Sequence, residues 1–214
     1  MKSAFILAAV SAGLLSAAPA FSAPITLDFE GVNSFGSIAN FYNGGTDVPA
    51  TGVPASGTNY GVAFGGDALG LANDSLGPYF SNAPSGNTVM GAVGSDAALN
   101  MASGFTDLMS FYYSATVDTT VNVYSGLNGT GTLLHTFYLA TNAQSGCSDS
   151  PFCNWTLAST TLSGVAQSIQ FGSAANVAAF DNVSITATPL PAAIWLLISG
   201  LGGVGALSRR RNAV

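Results

Sequence analysis

Lysine and arginine are missing from almost the whole chain. The 214 residues hold four of them, Lys2 and the triplet Arg209, Arg210 and Arg211, and none between Ser3 and Ser208. All ten carboxylates fall inside that gap, so the central stretch carries a formal charge of about −10 while the whole chain nets −6. A nucleic-acid binder neutralises phosphates with Lys and Arg and releases counterions. This stretch has no such residue, which excludes nucleic acid as a partner. Phosphoryl transfer, which relies on cationic clamps, is disfavoured on the same ground. The stretch can attract cations, with Ca²⁺ the natural choice for oxygen ligands.

Histidine and cysteine are nearly as scarce. One histidine, His135, lies in an apolar and β-branched run, where it reads as a structural or surface residue. A metal or triad site needs converging partners that this run does not supply. No serine sits in a Gly-x-Ser-x-Gly elbow, and no lysine is available for a phosphate loop. Two cysteines, Cys147 and Cys153, bracket Ser-Asp-Ser-Pro-Phe. In an exported protein that count reads as one disulfide clipping a short loop. A pair of carboxylates acting on a glycosidic bond needs no cation or histidine, so composition leaves that activity open. The ten acids are scattered singly, and nothing in the sequence selects a pair.

Both ends carry long uncharged runs. Met1-Lys2-Ser3 is a short basic start, Ala4–Leu15 is apolar, and small residues follow, which is the layout of a secretory signal peptide over 1–22. Cleavage fits after Ala20 or after Ser22. Near the other end, Leu190 to Leu207 has no charge, and Arg209–Arg211 follow at once. As a helix, 190–207 would extend about 27 Å, just short of a hydrocarbon core. Trp195 suits the outer interface and the arginines the cytoplasmic side.

Thr188-Pro189-Leu190-Pro191-Ala192-Ala193-Ile194-Trp195-Leu196, then Ser199-Gly200-Leu201 and the arginines, resembles the PEP-CTERM sorting signal. Pro189-Leu190-Pro191 stands where that family usually has Pro-Glu-Pro. The resemblance implies an exosortase-type processing enzyme as partner and cleavage near Pro189–Pro191. It also implies a transient inner-membrane anchor, and a final place on the surface or in the exopolysaccharide matrix of a Gram-negative bacterium. The expected organisation is thus 1–22 signal peptide, 23–187 ectodomain and 188–214 sorting signal.

Between the ends no window shows helical periodicity. Short alternating, or β-branched and aromatic, runs recur instead: Ile25–Glu30, Tyr60–Phe64, Thr88–Val93, Phe105–Ser114, Thr119–Tyr124, Thr132–Leu139, Trp155–Leu162, Ala166–Phe171 and Val177–Thr186. Gly, Asn, Asp and Ser punctuate them, and Leu127-Asn128-Gly129-Thr130-Gly131 reads as a hairpin turn. The expected fold is an all-β sandwich or jelly roll, flanked by a signal helix and one transmembrane helix. Gly31 to Asn59 is expected to be an ordered surface loop. Among the aromatics, Phe111, Tyr112, Tyr113, Tyr124, Tyr138 and Trp155 are candidates for stacking on sugars, although half of a strand's residues normally face the core.

Leu27-Asp28-Phe29-Glu30-Gly31 and Phe180-Asp181-Asn182-Val183-Ser184-Ile185 resemble the first and last strands of carbohydrate-binding-type jelly rolls. In such folds these strands lie side by side, and their carboxylates often hold a structural Ca²⁺. Carried over, Glu30 and Asp181 are the candidate ligands, with Asp28 beside them. The competing reading is that these acids solvate strand ends or protect a sheet edge. Together these readings describe an exported, non-enzymatic surface or matrix protein associated with exopolysaccharide or biofilm. The alternatives are a carbohydrate-binding module and a two-carboxylate enzyme acting on glycans.

Overall fold

The computed structural model describes residues 23–75 and 78–188. The expected signal helix, the membrane run 190–207, the motif residues Pro189, Leu190, Pro191 and Trp195, and Arg209–Arg211 lie outside the described residues. Among those described, no helix is long and apolar enough to cross a membrane.

Alternation of apolar and polar residues makes strands wherever one face has a core to bury. Nine form: β1 (Pro24–Leu27), β2 (Val62–Phe64), β3 (Ala68–Ala72), β4 (Thr88–Ala92), β5 (Ala98–Ala115), β6 (Thr119–Tyr124), β7 (Leu133–Leu139), β8 (Thr156–Gln170) and β9 (Ala178–Ala187), with one 3-10 turn at Gly172–Ala174. Hydrogen bonding runs in the order β3-β4-β9-β5-β8-β6-β7, with β1 added to β9 and β2 to β5. All pairings are antiparallel.

The two long strands turn this network into an open sandwich. β5 pairs β2 through Leu99–Met101 and β9 through Phe105–Ala115, and a register shift against β8 separates the two stretches. Gly104 sits at that shift with φ of +78°, and a Cβ there would meet Val165 at 2.5 Å. Only glycine allows the strand to bend there. Phe111 on β5 meets Phe137 on β7, Phe171 and Phe180 on β9 edge to face, at 4.8, 6.1 and 5.7 Å. Phe111, Phe171 and Phe180 are wholly buried, each contributing about 2–3 kcal/mol of burial.

Three differences from the sequence reading have physical causes. Trp155–Leu162 and Ala166–Phe171 are one strand, because Ser163-Gly164-Val165 continues β8 in extended form rather than breaking it. β3, Ala-Leu-Gly-Leu-Ala, lacks β-branched residues and gives no propensity signal. Residues 31–59 are ordered by their own turns, as expected, but they also bury Val32, Ile38, Phe41 and Tyr42 in the core. The stretch is the expected ordered surface loop, anchored to the sandwich by these four side chains. The hairpin at 127–131 forms as read, with Asn128, Gly129 and Gly131 at positive φ. His135 lies half-buried on β7 with its ring against Phe137 at 4.6 Å.

Candidate functional site

Two places concentrate polar chemistry. The first lies where β1 and β9 run side by side, Pro24 opposite Thr186 and Leu27 opposite Val183. Beyond β1, Phe29 takes a left-handed backbone (φ 60°). That turn sinks its ring into the core and leaves Asp28 and Glu30 on the outer side. The Phe29 amide donates to Tyr42 Oη at 2.8 Å, and Tyr42 in turn donates to Asp28 Oδ1 at 3.4 Å. Burial, then the nearby Asp28 charge, pushes the Tyr42 hydroxyl far above its ordinary pKa.

Asp181 reaches the same place through a bulge. Ser110 faces Ser184 and Tyr112 faces Asp181, so β9 carries one residue more than β5 between these pairs. Asn182 absorbs it at φ of 48°. The Asp181 carboxylate, fully buried, grips the loop before β4. The Ser85 amide donates to Oδ2 at 3.0 Å, Ser85 Oγ donates to both oxygens at 3.0 and 3.1 Å, and the Asn182 amide donates to Oδ1 at 2.7 Å. Glu30 Oε1 accepts from the amides of Asn87 and Thr88, both at 2.8 Å. Residues 85–88 are thus clamped between two carboxylates. Burial raises the Asp181 pKa to about 6, and the charge of Glu30 adds to the rise against the pull of the Ser85 and Asn182 hydrogen bonds.

Of the three expected metal ligands, Glu30 and Asp181 are therefore brought onto one loop. Asp28 is tied elsewhere, to the Glu30 amide at 3.2 Å and to Tyr42. The pair offers the oxygen donors that Ca²⁺ takes, with no Lys or Arg between Ser3 and Ser208 to neutralise them, but both Asp181 oxygens and Glu30 Oε1 already accept N–H or O–H groups. A complete shell would need backbone carbonyls as well. Among the described residues, the group of three His, Cys, Asp or Glu side chains whose ligand atoms all lie within 4.8 Å is Cys147, Asp149 and Cys153. Cys147 and Cys153 are joined in the expected disulfide, so their sulfurs are no longer thiolate ligands.

The second place is a groove of about 500 Å³ bounded by Asn82, Pro84, Tyr112, the disulfide, Asn154 and Trp155. Its walls are stitched together. Trp155 Nε1 donates to the Ser81 carbonyl at 2.9 Å, and the Trp155 and Phe80 rings meet perpendicular to each other with centroids 6.5 Å apart. Asn82 Nδ2 donates to the Cys153 carbonyl at 3.1 Å, and the Ser81 and Phe152 backbones pair at 3.0 Å. The disulfide closes the loop 147–153 that forms one wall. Trp155, its indole N–H already bonded, and Tyr112 line the groove beside the side-chain amides of Asn82 and Asn154. Every residue of this lining is uncharged.

Of the six aromatics read as stacking candidates, Phe111 and Tyr113 are buried in the core. Tyr112, Tyr124 and Trp155 are half-buried, and Tyr138 stands 84 % exposed. The sequence reading missed Asn82 and Asn154 in the groove and Ser85 in the clamp. Pro84-Ser85-Gly86-Asn87 is a turn signal, but nothing in it says which carboxylates it meets.

The sequence matches no known protein family and no characterised protein. Among solved structures, a cleaved adhesin domain of Lys-gingipain is 15% identical with a TM-score of 0.43, covering 78% of this chain and 99% of its own. A family 43 arabinoxylan arabinofuranohydrolase from Bacillus subtilis, solved with cellotetraose, is 17% identical with a TM-score of 0.41 over 66% of this chain. This chain spans only 31% of that enzyme. A carbohydrate-binding module of lichenase 5A from Cellvibrio mixtus, solved with cellotriose, is 12% identical with a TM-score of 0.36, covering 58% of this chain and 90% of the module. At such identities the residues of the site have to be read from this chain itself.

Proposed function

We propose that the chain is an exported, non-catalytic surface or matrix protein whose sandwich binds polysaccharide in the groove between Trp155 and Tyr112. The groove's lining carries this reading. Aromatic faces offer an amphipathic platform for the C–H side of a sugar ring, and the amides of Asn82 and Asn154 supply donors and acceptors for its hydroxyls. The disulfide and the Ser81–Phe152 pairing hold these groups in place before a ligand arrives, which lowers the entropic cost of binding.

The two-carboxylate enzyme is the weaker reading. Glu30 and Asp181 meet on one loop, yet Asp181 has no exposed surface from which to pass a proton to a substrate. In the neighbouring acids Asp67 and Asp96 an oxygen of each carboxylate accepts a backbone amide, that of Asp96 and that of Gly66 respectively. The role of Glu30 and Asp181 is to hold the loop 85–88 and, we propose, a structural Ca²⁺. Calorimetry with Ca²⁺ is expected to give heat and a higher melting temperature; neither would appear if the clamp takes no ion.

Export and sorting rest on the two ends of the sequence: the basic start and apolar run before Ala20, then Pro189-Leu190-Pro191, the uncharged run and Arg209–Arg211. The product is expected on the outer surface or in the matrix of a Gram-negative bacterium, after cleavage by an exosortase-type enzyme. Intact-mass spectrometry tests this part. A product that begins near residues 21–23 and ends near Pro189–Pro191 supports it, whereas one ending at Val214 means a retained anchor. For the groove, native electrophoresis through gels containing hydroxyethyl cellulose, laminarin, xylan or glucomannan is the test. Retardation by at least one polymer is expected, and migration unchanged by all four would count against the reading.

A further inference from the structure

Tyr112 belongs to two surfaces at once. It lines the groove, and it is also a rung on the outer face of the sheet, opposite Leu157. Two further rungs follow in unbroken register, Ser110 opposite Ser159 and Leu108 opposite Thr161. The intervening β5 residues, Met109 and Phe111, are wholly buried and point the other way, so these rungs share one outward face. Leu108 and Leu157 are 59 % and 52 % exposed, and Ser159 and Thr161 are exposed beside them.

None of the six residues is charged, in a domain with ten carboxylates. Asp181, the acid opposite Tyr112, is buried. Asp107, at the β5 bulge (φ 61°), marks the far end. Adjacent rungs are spaced by about 6.8 Å along the strands, so three cover about 14 Å. Leucine methyls and serine or threonine hydroxyls alternate along this strip. A pyranose chain has the same character, with apolar C–H faces and hydroxyl rims.

Resting on the groove as a sugar site, we propose that the Tyr112–Leu157, Ser110–Ser159 and Leu108–Thr161 rungs continue that site. The ligand is then an internal stretch of a linear, uncharged polysaccharide, on the order of four or five units long given the extent of the strip, rather than a chain end or a small sugar. Continuity through Tyr112 selects this occupant. The field of a domain near −10 disfavours uronate-rich or sulfated chains. The groove anchors one or two rings by stacking, and the strip adds contact with each further ring.

The test uses the full-length chain, purified in mild detergent. The polymer that retards it most is identified by affinity electrophoresis, and oligosaccharides of that polymer with two and six units are titrated by calorimetry. The hexasaccharide is expected to bind about tenfold or more tighter than the disaccharide. A Leu108→Asp/Ser159→Asp double variant, at exposed positions and with an unchanged melting temperature, should reduce hexasaccharide affinity to the disaccharide level and leave disaccharide affinity within about twofold. Equal affinities for the two lengths, or a double variant that keeps hexasaccharide affinity, overturn the strip and leave the groove standing. Retardation by no polymer removes the groove and the strip together. If the double variant turns a dimer into a monomer in sedimentation velocity and hexasaccharide binding is unchanged, the face pairs two copies of the chain and the proposal is wrong.

Discussion

Gly86 is where the clamp on the loop before β4 can be tested most sharply. It sits at φ of +40°, and a Cβ added there would lie 2.2 Å from Glu30 Cδ and Oε1 and 2.6 Å from Oε2. The carboxylate is the far end of a flexible side chain, but it is held in place by the amides of Asn87 and Thr88. Gly86→Ala should therefore cost twice: about 1–2 kcal/mol for a left-handed backbone with a Cβ, and about 2 kcal/mol for displacing Glu30 from two charge-assisted hydrogen bonds that are partly open to water. Glu30→Ala alone forfeits only the second part, about 2 kcal/mol. In the double variant the clash is gone and the bonds are already lost, so it should be no less stable than Gly86→Ala, about 3–4 kcal/mol below wild type, whereas simple addition would give about 5–6. Urea melts of the four proteins at pH 7 in EDTA measure the cycle. A coupling of about 2 kcal/mol is expected. Additivity to within about 0.5 kcal/mol would show that Glu30 does not fill the space that glycine leaves, and would refute the clamp.

Two further outcomes follow from the same geometry. The folded pKa of Asp181 is raised to about 6 from 3.8, so folding binds a proton in this window, and stability in EDTA should fall as pH climbs from about 4 to 6. The full penalty, on the order of 3 kcal/mol, should be present above that range. Asp181→Asn should remove this fall from chemical-denaturation curves between pH 4 and 8, and a slope equal to wild type would refute the assignment. Opening the Cys147–Cys153 bridge by a paired Cys→Ser change releases a loop whose ends are six residues apart. It should lower stability by about 2–2.5 kcal/mol and weaken polysaccharide retardation, since that loop walls the groove; undiminished retardation would show the wall is not needed.

Much of the fold was legible because its signals are local. Thr119–Tyr124 and Thr132–Leu139 are runs rich in β-branched, aromatic and aliphatic residues on either side of an Asn-Gly turn, and they form β6 and β7 almost to the residue. The disulfide followed from a count of two cysteines. The pairing of β1 with β9 came from the resemblance of the terminal strands to a jelly roll, and with it the meeting of Glu30 and Asp181. What stayed hidden depends on contacts distant in sequence. Ser85 meets Asp181 across 96 residues, and Trp155 meets Ser81 across 74. β3 is held by β4 and not by propensity. Tyr112 and Phe111 read alike in sequence, yet one lines the groove and the other is core, a distinction set by β5's register with its neighbours.

Trp155 offers the most direct measurement of the groove. The chain has two tryptophans, so a Trp195→Phe variant leaves Trp155 as its sole indole reporter. Titrating this variant with the polysaccharide that retards it should give a saturable shift in tryptophan emission, and Trp155→Ala in the wild-type background should abolish retardation. Retardation that survives Trp155→Ala, or a titration that leaves the emission unchanged while binding proceeds, would contradict the account, because the sugar would then be held somewhere else.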